Sequence, residues 1–122
     1  SFNTWPRMGE GYIPENLIFW DESFWGFFEN SIFIHFFHRS LAYLCVAIIL
    51  IISILHFKKI KYGAQKIHFI LIILLVIIQV IIGIYVVLSN VLISLGSIHQ
   101  IVGSLLFALT FSYFLLLKRR KI

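Results

Sequence analysis

Five histidines stand along an otherwise apolar chain: His35, His38, His56, His68 and His99. Imidazole is a common metal ligand, and an ionisable side chain inside a membrane segment is functional by default, so depth decides which of the five count. His56 lies two residues before Lys58, and His68 two after Lys66. Both read as interfacial polar residues that water reaches. His38 precedes Phe57 by 19 residues, and His99 precedes Leu117 by 18. At a rise of about 1.5 Å per residue, each stands roughly 27–29 Å from a basic end. On helices running in the same direction the two imidazoles come level, a turn or two inside the opposite face. Two level histidines on separate membrane helices are what bis-imidazole ligation of one haem requires. Histidines that merely hydrogen-bond between helices are the plainer alternative, and the depth match favours haem.

The neighbours of the pair fit either reading. Gly96 and Gly103 flank His99 at i−3 and i+4, and Ala42 and Cys45 follow His38 at i+4 and i+7. Small residues on one helical face leave room for a flat porphyrin, and they equally allow two helices to pack closely. His35, one turn outward of His38, competes as the ligand on the first helix. Arg39 is the only fixed charge within a span. It reads either as a side chain that snorkels to the outer interface or as a partner for a haem propionate through charge-assisted hydrogen bonds.

The elements that must hold these residues follow from composition. The chain has 122 residues, 61% hydrophobic and 12% charged, with a mean hydropathy of +1.00. A soluble domain is about 45–50% apolar and about 25% charged, which excludes a soluble enzyme, a disordered tail and a nucleic-acid-binding domain; no nucleic-acid partner is expected. The formal charge of +5 is segregated: all five acids lie in the first 29 residues and nine of the ten bases follow them. Three apolar runs, 32–57, 67–88 and 92–117, each exceed the roughly 20 residues a membrane helix needs. They are too long, and too uniformly apolar, for barrel strands.

The expected fold is therefore an all-α membrane protein. Residues 1–31 form an outer-side segment, and residues 32–122 carry three transmembrane helices in the lipid bilayer. A short loop containing Gly63 joins the first two, and Ser89-Asn90 turns between the second and third. The bases at 58–66 and 118–121 fall on one side after three crossings, which the positive-inside rule assigns to the cytoplasm or matrix. Trp20, Phe24, Trp25, Phe27 and Phe28 suit the headgroup level on the other side. Cys45 is the single cysteine, so no disulfide forms within the chain. The chain opens on Ser1 with no signal-peptide pattern, and reads as a fragment or the later part of a longer protein.

With these pieces in place, the chain resembles the C-terminal half of heme A synthase. The matching runs are Phe2-Asn3-Thr4-Trp5-Pro6, Met8-Gly9, Ile13-Pro14 and Phe28-Glu29-Asn30. They continue with His38-Arg39, Leu41-Ala42-Tyr43, Gln79-Val80, Gly83-Ile84 and His99-Gln100. The resemblance implies helices six to eight of an eight-helix protein built as two four-helix bundles. It implies that His38 and His99 are the axial ligands of a heme b, with Arg39 beside it. It also implies that the substrate, heme O, is oxidised from methyl to formyl in a missing N-terminal half. Catalytic residues are expected there, so this chain alone would be inactive. Glu29 is expected to structure the loop with Arg7. The absence of a cysteine pair from the outer loop points to the alphaproteobacterial and mitochondrial branch, and so to a bacterial plasma membrane or the mitochondrial inner membrane. Two other functions stay open at this stage: an electron-transfer cytochrome b-type module, and an assembly subunit that binds no haem. A homo-oligomer also stays open.

Overall fold

The computed structural model describes residues 3–15, 17, 25–61 and 63–119, the side chain of Phe27 excepted. It contains a short helix α1 (Gly26–Glu29) and three long helices, α2 (Ser31–Phe57), α3 (Gly63–Leu88) and α4 (Ile93–Arg119). All three long helices are long and apolar enough to cross a membrane, and no strand occurs among the described residues beyond an isolated bridge between Met8 and Gly11. Their apolar side chains, such as Ile54, Leu55, Ile67, Ile101 and Phe107, are largely exposed. That is the distribution of a helical protein whose solvent is hydrocarbon. The protein is an integral membrane protein of all-α class.

Local chemistry sets where each helix starts and stops. Asn30 caps α2: its Oδ1 accepts from the backbone N–H of Ile32 at 2.9 Å and of Phe33 at 3.3 Å, satisfying two of the donors that a helix start leaves unpaired. Helix α3 ends in a Schellman turn. Asn90 takes the left-handed conformation (φ 55°), and the N–H groups of Val91 and Asn90 donate to the carbonyls of Val86 and Val87 at 2.9 and 3.3 Å. Asparagine tolerates that conformation. Val91 shares it (φ 60°), where a β-branched side chain is strained.

Two helix boundaries differ from the hydropathy pattern. Helix α3 begins at Gly63, inside what reads as the loop, and α4 continues to Arg119. Apolar runs mark the hydrocarbon zone, whereas backbone hydrogen bonds continue through the polar residues that flank it. Lys66 consequently lies on the first turns of α3, its ammonium 5.1 Å from the Phe57 ring centroid, within cation–π range.

Helices α3 and α4 form the close-packed pair. Phe69, Ile72 and Val76, spaced i, i+3 and i+7 along one face of α3, make the buried core with Tyr113 of α4. Helix α2 adds Val46 and Ile49 to its edge. The core thus sits toward the lysine-rich end. The opposite end of the bundle holds the level histidines.

Candidate functional site

His38 and His99 come together. Their ring centroids are 6.3 Å apart with the planes at 73°, so the two rings come level with each other. Helix α2 supplies His38 and α4 supplies His99, which run parallel because α3 returns the chain between them. His38 is exposed and His99 half-buried.

On α3, Gln79 and Gly83 face His99. The antiparallel register sets Gln79 opposite Gly103 and Gly83 opposite His99. The Gln79 side-chain nitrogen lies 3.3 Å from His99 Nε2. A Cβ built on Gly83 would stand 3.0 Å from His99 Cε1, and one on Gly103 would stand 2.9 Å from Gln79 Nε2. Each of these glycines is therefore a notch for a side chain of the other helix. Two buried polar atoms here have no hydrogen-bond partner among the described residues, Gln79 Oε1 and His99 Nδ1. Of the small residues flanking the pair, Gly103 serves the approach to α3, and Gly96 meets nothing within 4 Å. Ala42 and Cys45 are exposed.

Arg39 is 7% exposed and does not snorkel. Its Nε donates to His35 Nε2 at 3.2 Å, its Nη1 to the Arg7 carbonyl at 3.1 Å, and its Nη2 to the Thr4 carbonyl at 2.8 Å. The guanidinium fork so holds the N-terminal loop against α2 one residue beyond His38. The loop braces itself: Thr4 Oγ1 donates to the Arg7 carbonyl at 2.9 Å and accepts from the Gly9 N–H at 3.1 Å, and Met8 is buried. Arg7 enters through its carbonyl; among the described residues no ion pair joins it to Glu29, which is exposed on α1. His35 accepts from Arg39 through Nε2. Trp20 and Phe24, expected at the headgroup level, lie outside the described residues, as does the Phe27 side chain.

The histidines near the basic end are more engaged than an interfacial position implies. His56 Nε2 and the Tyr113 hydroxyl share a hydrogen bond of 2.9 Å, and His68 Nε2 donates to the Leu109 carbonyl at 3.0 Å. Both are partly buried, and Tyr113 lies between them, its ring centroid 6.0 Å from that of His56 and 5.3 Å from that of His68. Sequence reasoning passed over Tyr113, and named Gln79 only within the Gln79-Val80 run of the family resemblance. Depth counting does not find the first, since Tyr113 lies five residues before Lys118 and His56 only two before Lys58.

The fold and site define a class: a helical membrane protein whose parallel spans present two histidines to each other at one depth. Comparison with known proteins gives the family. The family described as cytochrome oxidase assembly protein (COX15-CtaA) matches residues 1–111, and the chain belongs to it. Among curated relatives, heme A synthase of Pelagibacter ubique is 35% identical over 116 residues, which cover 95% of this chain and 33% of that protein. Heme A synthase of Bartonella bacilliformis is 33% identical over 111 residues (91% and 30%), and that of Wolbachia pipientis is 32% identical over 120 residues (98% and 32%). The chain thus spans about a third of the length of the curated relatives it matches. No solved structure matches it.

Proposed function

We propose that this chain is the C-terminal, heme b-binding portion of a heme A synthase, with His38 and His99 as the axial ligands. The observation that carries the reading is the 6.3 Å separation of the two rings. Two imidazoles presented to each other from separate spans are what bis-imidazole ligation of one haem would need. Among the described residues no group of three or more His, Cys, Asp or Glu side chains is placed to hold a metal ion. A pair of protein donors suits an iron already held by a macrocycle better than a bare ion. His99 adds a second point of fit: Nε2 lies beside the Gln79 amide, and Nδ1 has no partner among the described residues, which leaves one ring nitrogen for a ligand.

When bound, the heme b supplies one-electron transfer. The chain's own residues do the rest. His38 and His99 hold the group between α2 and α4, and Gln79 fixes one of them. Arg39 brings a positive charge to the outer end, where propionate carboxylates would lie, and keeps the loop of residues 3–15 over it. Oxidation of the heme O methyl to the formyl of heme A belongs to the part of the relatives that this chain does not span, and the electrons it releases are the reason for a redox group here. The bases at 58–66 and the C-terminus face the cytoplasm or matrix.

The test is expression of this chain together with the remaining two thirds of a relative, in cells lacking their own synthase, followed by haem extraction. Heme A is expected with the unsubstituted chain and none with His99→Ala. An unaltered haem profile with the unsubstituted chain, despite a haem-loaded protein, would point instead to an electron-transfer module.

A further inference from the structure

We infer that Gln79 is the positioning residue for His99, and that Gly83 and Gly103 exist to seat that pair. The inference rests on the haem reading for its consequence, but its geometry stands without haem. Gln79 and His99 project from antiparallel helices, and each lies in the notch of a glycine on the other. A Cβ added at Gly83 would stand 3.0 Å from His99 Cε1, and one at Gly103 would stand 2.9 Å from Gln79 Nε2, so a larger residue at either position would displace the side chain it holds. A polar pair buried this way is costly unless its groups are satisfied. Yet Gln79 Oε1 and His99 Nδ1 are both unpartnered among the described residues. The site is therefore half-satisfied as it stands.

Ligation of a metal by His99 would close the ring's deficit. One ring nitrogen then goes to the metal, and the other must carry the proton and find an acceptor. Gln79 is the amide beside that ring, and a half-turn of its terminal torsion exchanges nitrogen for oxygen. With its oxygen turned to the ring, Gln79 accepts the imidazole N–H, fixes the tautomer and the rotation of the ring about its Cβ–Cγ bond, and raises the basicity of the ligating nitrogen. A more basic ligand favours ferric iron, so Gln79 lowers the reduction potential. The acceptor comes from the helix between the two ligand helices, which makes the return span α3 part of the site.

The test uses the full chain in lipid nanodiscs, with two readouts. In the haem-free protein, 15N-histidine NMR reports the His99 tautomer: one tautomer is expected in the unsubstituted chain, and a mixture in Gln79→Leu and in Gly103→Ala, which displaces Gln79 without removing it. In protein loaded with heme b, the midpoint potential should rise in Gln79→Leu and Gly103→Ala, and fall in Gln79→Glu, which keeps an acceptor and adds charge. Loss of heme b in Gln79→Leu with retention in Gln79→Glu also supports the role. An unchanged His99 tautomer in Gln79→Leu, an unmoved potential, or loss of heme b from both Gln79 variants would overturn it. If the unsubstituted chain takes up no heme b, the haem reading fails while the tautomer measurement still decides the positioning role.

Discussion

At the scale of single residues, the side chains that do most are those with a hydrogen-bond demand that hydrocarbon cannot meet. Arg39 is the clearest case. A guanidinium within a span must pair or reach water, and this one is satisfied by Thr4, Arg7 and His35. Hydrogen bonds from a charged donor contribute about 1.5–3 kcal/mol each. Arg39→Gln should therefore weaken loop docking by about 2–4 kcal/mol on the same scale, seen as faster limited proteolysis within residues 3–15 while the long helices keep their far-ultraviolet circular dichroism. A loop as resistant as in the unsubstituted protein would mean that Arg39 does not hold it. The presence of Arg39 was legible in the sequence as the one charge in a span. Its partners were not, because Thr4 and Arg7 offer backbone carbonyls, which every residue carries and no pattern of side chains marks.

At the scale of elements, depth and rotation behave differently. Depth is countable: a fixed rise per residue from a basic end brought His38 level with His99. Rotation about the helix axis is not, because three helices apolar on every side show no polar face to orient them. Gln79 and Gly83 were therefore visible only as members of the runs that carry the family resemblance, and their approach to His99 required the register of α3 on α4. The His56–Tyr113 bond, joining α2 to α4 at the other end, is a second tie between elements. Hydrogen bonds between membrane helices contribute about 0.6 kcal/mol on average, so a double-mutant cycle with His56→Ala and Tyr113→Phe should give a coupling of about 0.5–1.5 kcal/mol by reversible unfolding in mixed micelles. Strict additivity would show that the bond is idle. The turn after α3 offers a separate handle. Val91→Gly removes the penalty of a β-branched residue at positive φ, of about 1 kcal/mol, and should raise the midpoint of thermal unfolding; a lowered midpoint would contradict the strained turn.

At the scale of the whole molecule, packing and chemistry occupy opposite ends. The Phe69, Ile72, Val76 and Tyr113 core binds α3 to α4 near the lysines, and the level histidines lie at the end where the N-terminal loop docks on Arg39. The number of spans was plain from composition, since hydrocarbon admits only helices or closed barrels. Sidedness rests on the two basic clusters, which three crossings bring together. In a Cys45→Ser background, a membrane-impermeant thiol reagent applied outside should label Tyr12→Cys and spare Lys59→Cys; labelling of both from one side would defeat the three-span topology. The central claim is that His38 and His99 ligate one heme b, and the reduced-minus-oxidised absorption spectrum of the reconstituted chain tests it most directly. A low-spin haem is expected in the unsubstituted protein and in the His35→Ala, His56→Ala and His68→Ala variants. His38→Ala and His99→Ala should each lose the haem or hold it five-coordinate and high-spin. A low-spin spectrum that survives His38→Ala but is destroyed by His35→Ala would contradict the ligand pair.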